Sequence, residues 1–416
     1  MPSFPGGRGT SNSFGGGRSG GRSNSSSRGG YNGGKAGSSR GFGGSGFNGG
    51  GGSDGGFGRG SSANSSSRGR GTGRWDSSGG RGNFGGRGKG GKRSGPAGSL
   101  PVKQGVLKEH THTVTSMEVV EATKQLFSGS LDGTVRIWSW EESFTCVHTV
   151  NAGAPVEALL VFEDWLFAGC QALSPVAHGF VKVWQMTSSF EQTLEGHQGS
   201  VFCLAQGGMS PSGSPFIFSA GDDMGVKTWQ FGASNSFEPV VNLAGHKSTV
   251  QDMKVTGSTL LSAERDGLIC MWDLASGTLA GTINTEHQGL MAILLEENFL
   301  FTAGLDGLVK VWDSAGVLQL SHQVTNKISQ PSGITAIAIV AEGGNPADAS
   351  VPNDFVLVTA CDDNALKLWR CPTFDKRGII AQSAGHSDVV RCLAKGPGNS
   401  FFSGSMDHTI MVWEFM

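Results

Sequence analysis

Histidine, a hydroxyl-bearing residue and aspartate are the side chains of nucleophilic hydrolysis, supplying base, nucleophile and orienting acid. Here they recur in one order, each set closed by a tryptophan, as in His197, Ser219, Asp223 and Trp229 and again in His386, Ser403, Asp407 and Trp413. One reaction needs one triad. A constellation that returns five times argues for a repeated brace, because buried polar groups must be paired and a repeated network pairs them while fixing local geometry. Other reactive chemistry is missing. The cysteines, at 146, 170, 203, 270, 361, 371 and 392, form no CxxC pair. They fit neither a disulfide framework nor a zinc site and read as reduced, buried thiols. GxGxxG-like strings occur only in low-complexity sequence, without the strand and helix a phosphate loop needs. The expectation is a non-enzyme with no metal and no cofactor.

Arginine is the second chemical signal. Residues 1–98 hold 38 of the 69 glycines, and carry 12 Arg and 3 Lys against Asp54 and Asp76, a net charge of +13. The remaining 17 basic and 32 acidic residues give 99–416 a net of −15, so the overall −2 describes neither part. Eight Arg-Gly dipeptides begin at Arg8, Arg28, Arg40, Arg59, Arg68, Arg70, Arg81 and Arg87, with Phe14, Phe42, Phe47, Phe57, Trp75 and Phe84 among them. So few apolar side chains cannot offset an ordering cost of about 1–2 kcal/mol per residue, and 1–98 is expected to be a disordered tail. Its guanidinium groups suit phosphate forks and base stacking, and its aromatics offer further stacking faces, so single-stranded RNA is the expected ligand. Arginine methylation would keep that charge and block bidentate bonding.

The elements that must position the repeated polar residues follow from periodicity. Trp138, Trp184, Trp229, Trp272, Trp312, Trp369 and Trp413 end similar phrases, FSGSLDGTVRIW and FTAGLDGLVKVW among them, spaced 46, 45, 43, 40, 57 and 44 residues apart. Each phrase reads as a strand, a tight Asp-Gly-type turn and an alternating strand. Upstream stand Gly196-His197, Gly245-His246 and Gly385-His386, each with a valine four residues after the histidine, and weaker versions at Glu109-His110 and at Glu286-His287 with Met291.

These phrases resemble the WD-repeat (WD40) family, whose fold is a β-propeller with one four-stranded blade per repeat. The resemblance implies an all-β, seven-bladed propeller over 99–416, preceded by the Gly/Arg-rich tail. It also implies that the polar residues form tetrads inside the blades: His110, Ser128, Asp132, Trp138; His197, Ser219, Asp223, Trp229; His246, Ser262, Asp266, Trp272; His287, Thr302, Asp306, Trp312; and His386, Ser403, Asp407, Trp413. The second repeat departs, with Ala152, Ala168 and His178 at the His, Ser and Asp positions, and the sixth has Gln330 for His with extra length in 341–354. The last repeat stops at Met416 without an outermost strand, which Pro101–Leu107 is in register to supply. Family members dock partners with residues three and five after the blade histidine and the one before the turn aspartate. Carried over, that rim includes Leu131, Phe202, Arg265, Leu290, Leu305, Arg391 and Met406, a mixture suited to protein partners.

Within the family the sequence is most similar to plant-type CCCH zinc-finger/WD-repeat proteins, through EDWLFAG (163–169), NSFEP (235–239), FDKRG (374–378) and Gly396-Pro397-Gly398 before Phe401-Phe402. It departs from them in having no cysteine before Cys146, so no Cys3His finger can form and no zinc is carried over. The expected function is a scaffold that recruits proteins by its rim and contacts RNA by its tail; the alternative is a substrate-recognition adaptor of a ubiquitin ligase. No run of about 18 apolar residues marks a membrane span, and MPSFPGGRG lacks the apolar core of a secretory signal. The expected setting is intracellular, nucleus or nucleolus before cytoplasm, with a monomeric propeller.

Overall fold

The computed structural model describes residues 99–416 except 142, 174–177, 210–214 and 343–353. The readings of the tail and of most of the sixth-repeat insertion therefore lie outside the described residues. The strands form seven four-stranded antiparallel sheets. Blade one is typical, with an inner strand Val114–Val120, a second Gln125–Ser130, a third Thr134–Ser139 and an outer strand Thr145–Asn151. Burial peaks at the second strand and falls outward from it. The second strand is buried at five consecutive positions, whereas the outer strand alternates between exposed and half-buried. A strand covered on both faces reads as an unbroken apolar or small-residue run, and one covered on a single face alternates.

The hairpin after each Asp holds its next residue at positive φ. Glycine takes that place in three blades, at Gly133, Gly267 and Gly307, and Met224, Asn364 and His408 take it in three others. At Gly267 the need is steric, since a Cβ there would lie 2.6 Å from the carbonyl oxygen of His287.

Cores lie between blades. Phe127, Val135 and Ile137 of blade one pack on Val156, Leu159, Leu166 and Trp184 of blade two. Val358 and Leu368 of blade six likewise pack on Val390, Phe401 and Trp413 of blade seven. Each such side chain contributes roughly 1.5–3 kcal/mol on burial, so an unclosed ring would leave one apolar face uncovered. Closure comes from the far end of the described chain. Strand Val102–Leu107 pairs antiparallel with Ile410–Glu414, Leu107 opposite Ile410 and Val102 opposite Glu414, and completes blade seven. Arg377 of blade six pairs with Glu342 and donates from Nη2 to the Ser99 carbonyl (2.7 Å), tying down the segment that leads into this strand.

Candidate protein-binding site

The polar quartets come first because they are the side chains most open to a catalytic reading. In blade one the Trp138 indole N–H donates to Ser128 Oγ (2.8 Å), Ser128 Oγ meets His110 Nε2 (2.8 Å), and His110 Nδ1 meets Asp132 Oδ2 (2.8 Å). A serine oxygen that accepts from the indole gives its own proton to Nε2, so Nδ1 carries the proton donated to the carboxylate. Burial pushes the Asp132 carboxyl up, but the Thr134 hydroxyl, the Thr111 amide and His110 outweigh it and hold it at about 2. Burial also pushes the His110 imidazole down. The same chain of bonds runs through His197, Ser219, Asp223 and Trp229, through His287, Thr302, Asp306 and Trp312, and through His386, Ser403, Asp407 and Trp413. Ser128, Ser219, Ser262, Thr302 and Ser403 are 0% exposed, so no substrate reaches these hydroxyls. They brace the blades.

Blade four corrects the sequence reading. His246 Nδ1 bonds Glu264 Oε1 (2.8 Å), not Asp266, which is exposed on the turn. Ser262 and Trp272 keep their places, with Ser262 Oγ 2.9 Å from His246 Nε2 and the Trp272 indole donating at 2.8 Å. Glu264 ends the second strand, closer to the histidine than the turn, and its longer side chain spans the gap. Its other oxygen accepts the amides of Lys247 and Ser248, both 3.1 Å. Cys270 makes the room: its thiol lies 3.6 Å from Glu264 at a position where blades one, three and five have Arg136, Lys227 and Lys310. Burial and the adjacent Glu264 push the Cys270 thiol up to about 12. His246, Glu264 and Cys270 are the kinds of side chain that hold a metal ion. Both nitrogens of His246 and both oxygens of Glu264 are already taken by protein groups, so the set reads as a tetrad with a substituted acid.

The two degenerate blades differ from each other. In blade two Ala152, Ala168 and Trp184 are buried, while His178 is exposed. In blade six Gln330 is exposed, outside any tetrad, but the Trp369 indole still donates to Thr359 Oγ1 (3.2 Å) and Asp363 forms an ion pair with the buried Lys367 (2.8 Å).

The seven inner strands enclose a channel of about 490 Å³. Each has a bulge after its first residue, and the bulged residues Thr115, Glu157, Phe202, Gln251, Met291, Thr335 and Arg391 ring one mouth. Thr115 and Thr335 also clamp neighbouring blades, Thr115 Oγ1 donating to the Val156 carbonyl (2.6 Å) and Thr335 Oγ1 to that of Val390 (2.5 Å). Of the expected rim, Phe202 and Arg391 stand in this ring and are half-exposed. Around them on the turns are Leu131, half-buried, Arg265, exposed, and Leu305 and Met406, each 40% exposed. Leu290 does not belong to the rim: it is 0% exposed and packed with Ile269, Ile293 and Trp312. Blade five is one residue shorter between its histidine and inner strand. Leu290 therefore pairs with Gly304 as Val250 pairs with Glu264, and Met291 takes the mouth position. A one-residue slip moves a side chain to the opposite face.

Below the mouth the channel is charged. Asp252 accepts the Ile293 amide (2.9 Å) across the blade boundary and pairs with Lys254 (3.0 Å). Burial pushes the Glu118 carboxyl up to about 7, only partly offset by Lys254. At the mouth burial also raises Glu157, against the pull of its bond from Gln171 and of Arg391, and Asp222 adds to the rise.

Closed seven-sheet ring, tetrads within the blades and a bulge-ringed channel together define a propeller of the WD-repeat class, and the comparisons agree. The family "WD domain, G-beta repeat" matches residues 101–139, 188–230, 237–273, 281–313 and 379–414, the five blades that hold complete tetrads. The chain is 30% identical over 311 residues to "Zinc finger CCCH domain-containing protein 17" of Oryza sativa subsp. japonica, covering 74% of this chain and 65% of that protein. It is 28% identical over 313 residues to "Zinc finger CCCH domain-containing protein 48" of Arabidopsis thaliana, with 74% and 66% covered. To "Nuclear distribution protein nudF" of Aspergillus niger it is 27% identical over 249 residues, with 56% and 54% covered. The solved WD40 β-propeller domain of Doa1 superimposes with a TM-score of 0.59 at 18% identity, covering 77% of this chain and 98% of that one. The chain thus spans about 54–66% of the length of these three sequence relatives. The protein belongs to the WD-repeat family, whose propellers are in general non-enzymatic scaffolds for protein interaction.

Proposed function

We propose that the protein is a non-enzymatic scaffold that recruits other proteins at the ringed mouth of its channel, and that its Arg/Gly-rich N-terminal segment contacts single-stranded RNA. The observation that carries the first half is the mouth itself. Apolar Phe202, Met291, Leu305 and Met406 stand at least partly exposed there, beside Arg265 and Arg391. Exposed apolar anchors with arginine and a polar surround are the composition of a protein-binding centre. A ubiquitin-ligase adaptor selecting a phosphorylated peptide is disfavoured, because Glu157 at the same mouth already interacts with the Arg391 charge. The RNA half rests on the tail's chemistry, fifteen basic residues among spaced aromatics. A nuclear or nucleolar ribonucleoprotein is the setting that would use both.

Two measurements test the reading. Replacing Arg265, Arg391 and Met406 together by alanine is expected to empty the set of proteins co-purified from cells, and an unchanged set sinks the mouth as the interface. RNA crosslinked to the full chain is expected to fall when the eight arginines of the Arg-Gly dipeptides are changed to alanine. Equal recovery from both proteins sinks the RNA assignment.

A further inference from the structure

A second site lies at the seam where the ring closes, and it does not rest on the reading above. Five of the ten histidines belong to tetrads. Two others, His112 and His408, meet across the seam, with ring centroids 5.6 Å apart and ring planes tilted at 48°. His112 stands in the link from the closing strand Val102–Leu107 to the inner strand of blade one. His408 stands on the turn of blade seven, between strands Ser400–Ser405 and Ile410–Glu414. The backbone beneath the pair is anchored. Val114, two residues on from His112, accepts from the Cys392 thiol of blade seven at 3.7 Å, and a Cβ on Gly404 would lie 2.7 Å from its side chain.

Packing does not account for either imidazole. Both residues are exposed, and among the described residues neither ring takes part in a hydrogen bond or an ion pair. Other blades put other residues at these places. Two after the blade histidine stand Gly199 in blade three, Ser248 in blade four and Asp388 in blade seven. His408 has φ 68°, at the hairpin place that blades one, four and five fill with glycine. Glycine adopts that left-handed conformation freely and a residue with a Cβ does not, so the imidazole is held there against a local preference.

Two imidazoles without other partners, within reach of each other on fixed backbone, are donors for a transition-metal ion. Imidazole suits Zn2+, Cu2+ and Ni2+, whereas Mg2+ and Ca2+ take oxygen. With each nitrogen about 2.0–2.1 Å from a tetrahedral Zn2+, two ring centroids sit roughly 5–5.5 Å apart. The observed 5.6 Å reaches that separation by a small rotation of two exposed side chains. The neighbouring carboxylates are already spent. Asp407, before His408, accepts from His386, the Ser387 amide and Thr409. Asp132 accepts from His110, from Thr134 and from the amide of Thr111, the residue before His112. The protein therefore supplies two ligands and leaves the other positions to water.

We propose that His112 and His408 together bind a divalent transition-metal ion of the zinc and copper group, and that the ion clips the link leaving the closing strand to the turn of blade seven. Calorimetric titration of the full chain with Zn2+ alone tests the site, beside three variants. These are His112→Ala, His408→Asn, which keeps a residue tolerant of positive φ, and His178→Ala, which removes an exposed histidine elsewhere. The wild type and His178→Ala are expected to share a zinc site that His112→Ala and His408→Asn each weaken by at least roughly 10-fold, the smallest loss typical even of groups that only support a ligand. Mg2+ is expected not to compete for it. Zinc is also expected to slow amide hydrogen exchange between Lys108 and Thr113 in the wild type and in neither seam variant. Equal zinc affinity in all four proteins, no zinc uptake by the wild type, or displacement by equimolar Mg2+ would overturn the site. Exchange unchanged by bound zinc would overturn the clip.

Discussion

Blades two and four have the same four-stranded plan and are held by opposite means. Blade four buries His246, Ser262 and Glu264 in a network that satisfies both ring nitrogens and both carboxylate oxygens. Blade two puts Ala152 and Ala168 at the first two of those places and packs Trp184 against Phe127, Val156 and Leu166. Both alternatives produce a blade in register with its neighbours. The tetrad is therefore not what makes a blade fold. Apolar burial between blades does that, and whichever polar members are present must each find a partner, as Thr359 does in blade six without a histidine.

That difference is sharpest at Glu264. Glu264→Ala strips the partner from His246 Nδ1 and from two backbone amides, and is expected to cost about 3–5 kcal/mol, since each buried donor left unpaired costs about 1–3 kcal/mol. Urea denaturation of the variant against the wild-type chain measures it. A loss under about 1 kcal/mol would mean that blade four tolerates a broken network as easily as blade two does without one. Glu118 offers the contrasting carboxylate, half-buried in the channel and raised to about 7 by desolvation there, against an ordinary value of 4.5. A carboxyl raised by folding leaves the native state unpenalised below pH 4.5 and penalised increasingly as pH rises to 7, with the full penalty above. Glu118→Gln is accordingly expected to stabilise the protein by on the order of 2 kcal/mol at pH 8 and by little at pH 4.5. A pH-independent effect would place Glu118 in ordinary solvent.

The fold was legible because seven tryptophans recur at blade spacing, each closing a strand, tight-turn and strand phrase. Four of the five tetrads were legible for the same reason. Blade four misled because Arg265-Asp266-Gly267 copies the Leu131-Asp132-Gly133 turn, while the residue that acts, Glu264, stands where other blades have Ser130, Gly221 or Gly304. Cys270 in a place otherwise filled by long or basic side chains was the available signal. Leu290 misled because counting from the histidine assumes a constant link, and blade five is one residue shorter. The bulge position, aligned on the first core residue of each inner strand, finds Met291 without that assumption. Thr228, the residue before the blade-three tryptophan, was visible as the one polar residue in its column, but only burial showed that its hydroxyl is unpaired.

The two smallest effects separate packing from pairing most cleanly. Thr228→Val replaces an unpaired buried hydroxyl with a methyl of nearly the same shape, and a gain of about 1 kcal/mol is expected from relief of that desolvation. Destabilisation instead would mean that the hydroxyl finds a partner in solution. Ala168→Ser asks the converse question, whether blade two can accept half a tetrad. The new hydroxyl would lie as Ser128 does, within reach of the Trp184 indole, with no histidine to take its proton because Ala152 occupies that site. Blade six shows how such a hydroxyl is satisfied. Thr359 accepts from the Trp369 indole and donates to the Lys367 carbonyl (3.1 Å), and the carbonyl of Lys182 is the counterpart in blade two, since Lys182 pairs with Ala168 as Lys367 pairs with Thr359. With one bond gained at each end and one small polar group buried, Ala168→Ser is expected to change stability by less than about 1 kcal/mol in either direction. A loss above 2 kcal/mol would show that blade two has repacked around its alanines and no longer keeps the geometry the other blades share.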